Sequence, residues 1–217
     1  MTIQFHGIRP HFSRMSGTDE WSPGANLPGF RAGLQRIRLM CAVRRTGKIA
    51  GVNAIVITVS DSCYAGRRRD LSGPAVAAAL TASGLAVDAL VTVPDEIDPI
   101  AQALRLNAAR ASLLVTTGGT GIARRDVTPE ATRSVCERIL DGFAERMRAE
   151  GLKKTPLAPL SRAVCGTLGS TLILNVPGSP QGAVQSLEAV LGLIPHALAL
   201  LAGHTEHSGT PADGRAE

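Results

Sequence analysis

From Val52 onward, short runs of apolar residues alternate with longer segments in which apolar and polar residues mix. The run 54–60 is almost continuously apolar, which is typical of a parallel strand buried on both faces. The same pattern predicts further strands at 86–93, 113–116 and 171–174, with helices between them. Strands that alternate with helices predict an α/β fold, here a three-layer α/β/α sandwich with a mostly parallel sheet in a single compact domain.

Local signals predict where two of the helices begin. Ser72 is placed to cap a helix that ends near 83, and Leu71 and Val76 are spaced to pack together as a hydrophobic staple. Thr128 is placed to cap another helix, because Pro129 suits the first helical position. The remaining helices are predicted over 97–110 and over the carboxyl-terminal segment that ends near 201.

The first 51 residues differ in composition from the rest. Positions 1–50 hold eight Lys and Arg residues against two acids, whereas the remainder holds 15 against 16. The net charge of +5 therefore belongs to this segment and does not indicate a nucleic-acid-binding face. We expect residues 1–51 to be a basic, disordered extension or the product of a start codon assigned too early. The domain would then span 52–203, followed by a polar tail over 204–217.

Composition excludes several classes of protein. Aromatic residues make up 3% of the chain, which argues against a protein that stacks nucleic-acid bases on exposed rings. No apolar run reaches membrane-spanning length, and no secretory signal is evident, so we expect a cytoplasmic protein. The four cysteines lie far apart without a C-x-x-C pair, which favours free thiols over disulfides or zinc.

The strand at 113–116 ends in a glycine-rich turn, and Asp126 follows it. Glycines at the carboxyl end of a strand let backbone N–H groups approach a phosphate, and Asp126 could hold the accompanying magnesium. A tight turn without a ligand accounts for the glycines equally well, but it would not need Arg124, Arg125 or Asp126. The turn consists of Thr117, Gly118, Gly119, Thr120 and Gly121.

Two common phosphate-binding motifs are absent. The pattern G-x-x-x-x-G-K-[ST] of P-loop nucleotidases does not occur. The dinucleotide-binding pattern G-x-G-x-x-G fails because Arg124 stands where its third glycine would be. The site is therefore predicted to bind phosphate by another arrangement.

Other polar residues follow the remaining strands, and parallel strands would bring them to the same sheet edge. Each has a simpler explanation: Asp61 as a turn acid, Asp95 as a helix-capping or dipole residue, and Ser179 as a helix cap. The basic run 67–69 is either a solvated loop or a triphosphate contact. The predicted site residues at this edge are Ser60, Asp61, Asp95 and Asn175, and the turn residues Pro177, Gly178 and Ser179.

Taken together, these motifs resemble the molybdopterin adenylyltransferases of molybdenum cofactor biosynthesis. The resemblance extends over about 52–203. Its most specific part is the combination of the glycine turn with the run R-D-V-T-P-E, and the other matching segments are V-S-D, L-S-R and L-N-V-P-G-S-P.

The resemblance implies an enzyme that uses Mg-ATP to adenylylate the terminal phosphate of molybdopterin. It implies catalytic, magnesium-directed roles for Asp95 and Asp126, and it associates Ser161, in a run with Arg162, with molybdopterin. It also implies a homotrimer and hand-over of the product to a metal-insertion protein, with neither nucleic acid nor membrane as a partner. The alternative is a molybdopterin-binding or carrier protein without turnover; a general interaction scaffold is disfavoured by the polar loops at one edge.

Overall fold

Six strands form one mixed sheet in the computed structural model, which describes residues 52–204. The predicted extension over 1–51 and the tail beyond 204 lie outside the described residues. The strands are β1 (Asn53–Val59), β2 (Ala86–Val93), β3 (Leu113–Thr117), β4 (Arg138–Ile139), β5 (Cys165–Leu168) and β6 (Thr171–Val176). The helices are α1 (Asp61–Tyr64), α2 (Ser72–Ala82), α3 (Ile97–Ala108), α4 (Thr128–Val135), α5 (Asp141–Leu152), α6 (Pro180–Val190) and α7 (Ile194–Leu201), with a 3₁₀ turn at Ala158–Leu160.

The strand order is β2-β1-β3-β6-β5-β4. The first four strands pair in parallel, and β5 and β4 continue the sheet antiparallel to their neighbours. The mostly parallel sheet is therefore confirmed. Its antiparallel edge was not predicted, because β4 has only two residues and β5 lacks a long apolar run.

Two separate cores confirm the three layers. Successive side chains of β1 alternate between them, with Ala54 and Val56 in one core and Ile55 and Ile57 in the other. The first core packs against α2, α5, α6 and α7, and the second packs against α3 and α4. All strands of the parallel part thus run between two helical layers, so their carboxyl ends share one open edge.

Both predicted helix caps differ from the structure. Asp70, not Ser72, caps α2: its Oδ1 accepts the Gly73 N–H at 3.0 Å, and Leu71 is 60% exposed and forms no staple. Thr128 lies inside α4 and donates its hydroxyl to the Gly118 carbonyl at 2.8 Å, so it ties the helix to the glycine turn.

Between residues 52 and 204, no single helix is long and apolar enough to cross a membrane. Only α6 and α7 taken together would meet that test, and a bend of 63° separates them.

Candidate active site

The loop Thr117–Gly121, here called the glycine loop, needs glycine at two positions. Gly118 has φ 109° and Gly119 has φ 61°, a region that L side chains rarely adopt. A Cβ at Gly118 would lie 2.3 Å from the Val59 carbonyl oxygen, and one at Gly119 would lie 2.4 Å from the Thr128 hydroxyl. The loop is therefore packed against β1 and α4 without room for side chains.

Part of the glycine loop is already engaged by the protein. The Gly118 N–H donates to the Val176 carbonyl at 3.2 Å, and the buried Thr117 hydroxyl donates to the Pro177 carbonyl at 2.7 Å. The backbone N–H groups that have no partner among the described residues are those of Gly119, Thr120 and Gly121. These donors are left for an anionic ligand, because backbone N–H groups require a hydrogen-bond partner.

Asp61 and Asp95 connect the ends of β1 and β2. The Asp61 N–H donates to Asp95 Oδ2 at 2.7 Å, and the Asp95 N–H donates to Asp61 Oδ1 at 3.0 Å. The hydrogen bond from the Asp95 N–H, followed by that from Arg125, lowers the pKa of Asp61. Burial raises the pKa of Asp95. Asp95 does not cap α3, so the capping explanation is wrong.

Arg125 forms an ion pair with Asp61. Its Nη2 donates to Asp61 Oδ2 at 2.6 Å and Oδ1 at 2.8 Å, and its Nε donates to Oδ2 at 3.1 Å. Glu96 lies 3.8 Å from the same guanidinium. Arg125 therefore neutralises the carboxylates beside Asp95.

Asp126 ends the segment that follows the glycine loop. Its Oδ2 accepts the Ala123 N–H at 2.7 Å, and Gly121 leaves no room for a Cβ, which would lie 2.8 Å from the same oxygen. Its backbone carbonyl accepts a hydrogen bond from Arg162. Asp126 is thereby fixed on a tightly folded loop.

Arg162 holds this loop rather than facing a ligand. Its Nε donates to the Gly121 carbonyl at 2.6 Å, its Nη2 to the Asp126 carbonyl and its Nη1 to Glu130. Its backbone N–H donates to the Thr120 carbonyl at 2.9 Å. Arg162 was predicted to bind substrate; these contacts make it a positioning residue for Asp126.

Asn175 is also part of the framework. Its side chain is fully buried, with Nδ2 donating to the Thr116 and Thr132 hydroxyls at 2.8 and 2.9 Å and Oδ1 accepting the Val164 N–H at 3.2 Å. The amide is bonded to the protein, and Asn175 lines neither of the two cavities beside the glycine loop. Asn175 therefore supports the strand that carries the site.

Two cavities meet at the glycine loop. The larger, about 820 Å³, lies between the loop, α5 and α6, and Asp126 and Ser161 are on its wall. The smaller, about 580 Å³, lies between the loop and the segment before α2, and Ser60 and Asp95 are on its wall. The residues common to both walls are Gly119, Gly178 and Ser179.

Each of the two acids leaves one carboxylate oxygen without a hydrogen-bond donor in the described part of the chain. Asp95 Oδ1 and Asp126 Oδ1 accept no hydrogen bond from the described residues, whereas each Oδ2 does. No group of three or more His, Cys, Asp or Glu side chains in 52–204 could hold a metal ion by itself. Mg²⁺ is usually held by one or two carboxylates together with substrate phosphates, so this donor set suits a metal that binds with its substrate.

Comparison with known proteins agrees with this geometry. The sequence profile of the family described as "Probable molybdopterin binding domain" matches residues 55–196. The chain belongs to this molybdopterin-binding domain family.

Several relatives in the family are enzymes. The molybdopterin adenylyltransferase of Helicobacter pylori J99 is 41% identical over 155 residues, which cover 69% of this chain and 87% of the relative. That of Escherichia coli K12 is 40% identical over 139 residues, 62% of this chain and 71% of the relative. The molybdenum cofactor synthesis protein cinnamon of Drosophila melanogaster is 40% identical over 150 residues, but this chain spans only 25% of it. The predicted family and the nucleotidyltransferase class are confirmed.

Solved structures of the family share the fold. The molybdopterin biosynthesis enzyme MoaB of Thermus thermophilus is 50% identical and superposes with a TM-score of 0.67, covering 70% of this chain and 97% of that one. MogA is 37% identical with a TM-score of 0.65, covering 69% and 99%. The predicted α/β fold is confirmed.

In this molybdopterin-binding domain, the predicted strand-end residues do meet at one edge. Ser179 caps α6, as one of the two interpretations of this residue predicted, because its hydroxyl accepts the Gly182 N–H at 3.2 Å. Ser179 also lines both cavities. Ser60 likewise caps α1, with its Oγ accepting the Cys63 N–H at 3.3 Å. Among the described residues, Cys63 and Cys136 are half-buried, Cys165 is buried, and all three are thiols.

The wall of the larger cavity includes charged residues that were not predicted from the sequence. Arg148 and Lys154, from α5 and the segment after it, lie on this wall beside the ion pair of Arg146 with Glu150 and beside Glu188. Arg148 Nη1 also donates to the Ser161 carbonyl at 3.3 Å. The helix α5 was not predicted, because only Ala144 and Met147 are buried in it and half of its other residues are charged.

Proposed function

We propose that this chain is a molybdopterin adenylyltransferase, which transfers AMP from Mg-ATP to the terminal phosphate of molybdopterin and releases pyrophosphate. The observation that carries the proposal is the meeting of two cavities at the glycine loop, with Asp126 on the larger and Asp95 on the smaller. Two phosphorylated substrates that react with each other need such a common boundary.

Adenylyl transfer brings two anionic groups together. An oxygen of the molybdopterin phosphate forms a bond to the α-phosphorus of ATP. The bond from that phosphorus to the bridging oxygen breaks, and its electron pair leaves with pyrophosphate. An ionised phosphate needs no side chain to remove a proton, so catalysis rests on positioning and on neutralising charge.

The cavity walls support a place for each substrate. Ser161, which the family resemblance associates with molybdopterin, lines the larger cavity, where Arg148 and Lys154 can receive a phosphate. The nucleotide then occupies the smaller cavity, and its α-phosphate lies at the shared boundary. The free N–H groups of Gly119, Thr120 and Gly121 are the donors for the phosphates there.

Magnesium, when bound, would neutralise phosphate charge and align the reacting groups. Asp95 and Asp126 would hold it through the two Oδ1 atoms that the protein leaves free. For Asp95 this role requires the ionised carboxylate, and its pKa is raised by burial. Arg125 opposes that rise and favours the charged form.

Assembly and location are proposed on the family resemblance. We propose a cytoplasmic homotrimer whose domain spans 52–203 and which hands its product to a metal-insertion protein. In the Drosophila relative, the part that matches this chain is only 25% of the protein. Fusion of this domain to other parts of a molybdenum cofactor synthesis protein supports hand-over to a partner.

The proposal is tested by incubating the protein with molybdopterin, ATP and magnesium and measuring pyrophosphate and adenylylated product. We expect magnesium-dependent product from the wild type and a loss of at least about 100-fold in kcat for Asp126→Asn, the scale of removing one positioned charge. Asp141→Asn is the matched control, because Asp141 is exposed and lies on neither cavity wall. Tight molybdopterin binding without product would instead indicate the carrier alternative.

A further inference from the structure

The smaller cavity has two arginines whose role is not explained by the site described so far. Arg68 and Arg69 line it together with part of the glycine loop. Both side chains are exposed, and neither forms an ion pair with a described residue. Two unpaired guanidinium groups therefore face a cavity that the proposed function assigns to a nucleotide.

The backbone fixes this segment at both ends. The Arg68 N–H donates to the Ser62 carbonyl at 3.1 Å. On the other side, Asp70 accepts hydrogen bonds from the Thr58 hydroxyl at 2.7 Å and from the Gly73 N–H at 3.0 Å. Asp70 also lines this cavity, but it forms no ion pair with either arginine. The two cations are held beside the cavity and are free to bind an anion.

We propose that Arg68 and Arg69 bind the β- and γ-phosphates of the nucleotide and hold the pyrophosphate as it leaves. This inference rests on the proposed function for its nucleotide. The α-phosphate must lie at the boundary formed by Gly119, Gly178 and Ser179, where the two substrates meet. The rest of the triphosphate then extends into the smaller cavity, whose wall includes both arginines.

The chemistry of the leaving group fits these side chains. When the bond to the α-phosphorus breaks, its electron pair adds negative charge to the pyrophosphate oxygen. Arginine presents a planar set of N–H donors that bind phosphate oxygens in pairs, and it stays charged at all physiological pH values. Arg68 and Arg69 line only the smaller cavity, so they would act on the nucleotide and not on molybdopterin.

The test is calorimetric binding of inorganic pyrophosphate with magnesium to the full chain. We expect the double variant R68A/R69A to bind pyrophosphate about 100-fold more weakly, about tenfold for each charge-assisted contact. The variant R68K/R69K should recover part of the affinity, since lysine binds phosphate as a point charge. Arg67→Ala is the matched control: it removes the same charge from the same loop, but Arg67 is not on the cavity wall.

Steady-state kinetics give a second readout. In R68A/R69A, the KM for ATP and the inhibition constant of pyrophosphate should rise, while the KM for molybdopterin stays within about twofold. Unchanged thermal unfolding would show that the exposed substitutions leave the fold intact.

The outcomes separate this inference from the proposed function. Pyrophosphate binding by R68A/R69A within twofold of wild type, an equal loss in R67A, or no binding by the wild type would each overturn the inference, even if the wild type is an active adenylyltransferase. Arginine-dependent pyrophosphate binding without any adenylylated product would confirm the phosphate site of Arg68 and Arg69, but it would reject the proposed function and with it their role toward a leaving group.

Discussion

Asp95 and Asp126 flank the same glycine loop, but the protein positions them by different means. Asp95 is held at the sheet edge by two reciprocal hydrogen bonds with Asp61, in which the backbone N–H of each residue donates to the carboxylate of the other at 2.7 and 3.0 Å. Asp126 is held on a loop by Arg162, a residue from the segment after α5 that bonds both ends of the loop. The Asp95 carboxylate thus depends on a contact between the ends of two strands. The Asp126 carboxylate depends on a hydrogen bond from Ala123 within its own loop and on the contacts that Arg162 makes with that loop.

This difference predicts unequal sensitivity to mutation. Adjacent parallel strands fix Asp95 through many backbone bonds, so removing one side-chain contact leaves its position largely intact. The loop of Asp126 keeps its internal hydrogen bond to Ala123, but Arg162 is the side chain that joins the Gly121 and Asp126 carbonyls, so the loss of Arg162 should move the carboxylate. Small displacements of a catalytic group are costly, because a shift of about 1 Å can lower a rate about 100-fold.

The largest effect is therefore expected for Arg162→Ala. It leaves the carbonyls of Gly121 and Asp126 without their donor, and we expect kcat to fall about 100-fold, with a loss of unfolding free energy of about 1–3 kcal/mol. Single-turnover kinetics and urea unfolding measure the two effects. Arg133→Ala, an exposed arginine of α4, is the control. Wild-type kcat in Arg162→Ala would show that the loop does not depend on this side chain.

A smaller effect is expected for Arg125→Ala, because β1 and β2 still hold Asp95. We expect a fall of about tenfold in kcat, the effect of about 1.4 kcal/mol. The charge of Arg125 lowers the pKa of both Asp61 and Asp95, so its loss raises both. The ionised form of Asp95 would then disappear at a higher pH, and the acidic limb of the kcat profile should move upward. Arg125→Lys keeps the positive charge and should therefore shift the acidic limb of the kcat–pH profile less than Arg125→Ala does. If Arg125→Ala leaves that limb at its wild-type pH, Arg125 does not favour the ionised form of Asp95.

The smallest effect is expected for Glu130→Gln. The Arg162–Glu130 ion pair is partly exposed, with 38% and 46% of the two side chains accessible, so its loss should cost below about 1 kcal/mol. Burial is the largest influence on Glu130 and opposes its ionisation, but the hydrogen bond and charge of Arg162, together with a backbone hydrogen bond and the charge of Arg133, outweigh it and lower the pKa of Glu130. Activity within about threefold of wild type, measured beside Arg162→Ala, would indicate that the arginine acts through the loop carbonyls. A loss as large as that of Arg162→Ala would assign the main role to the ion pair.

Much of the fold was predictable because buried parallel strands leave a strong signal. Ile55, Ile57 and their neighbours form an uninterrupted apolar run, since both faces of β1 are covered by helices. The helix α5 escaped prediction because it buries only one narrow side, and β4 is too short to have a pattern. The cap of α2 was misassigned because Asp70 and Ser72 are both good caps, and only the structure shows which one accepts the Gly73 N–H.

The site was predictable in its location but not in its contacts. Parallel strands bring their carboxyl ends together, so Asp61, Asp95 and the glycine loop could be placed at one edge. Their partners are distant in sequence: Arg125 is 64 positions from Asp61, and Arg162 is 36 positions from Asp126. Composition gives no indication of such pairs. Asn175 and Arg162 were predicted to bind substrate because their hydrogen-bond partners, which are also distant in sequence, could not be foreseen. In the structure, both side chains hold neighbouring segments of the protein.

The central claim is that Asp95 and Asp126, supported so differently, act on one metal-bound phosphate. The most direct test is a double-mutant cycle in which kcat/KM is measured for wild type, Asp95→Ala, Asp126→Ala and the double variant. Groups that act as a unit are not additive, so the double variant should be no slower than the slower single variant, within about threefold. Losses that multiply in the double variant would show that the two carboxylates act independently and would contradict the account.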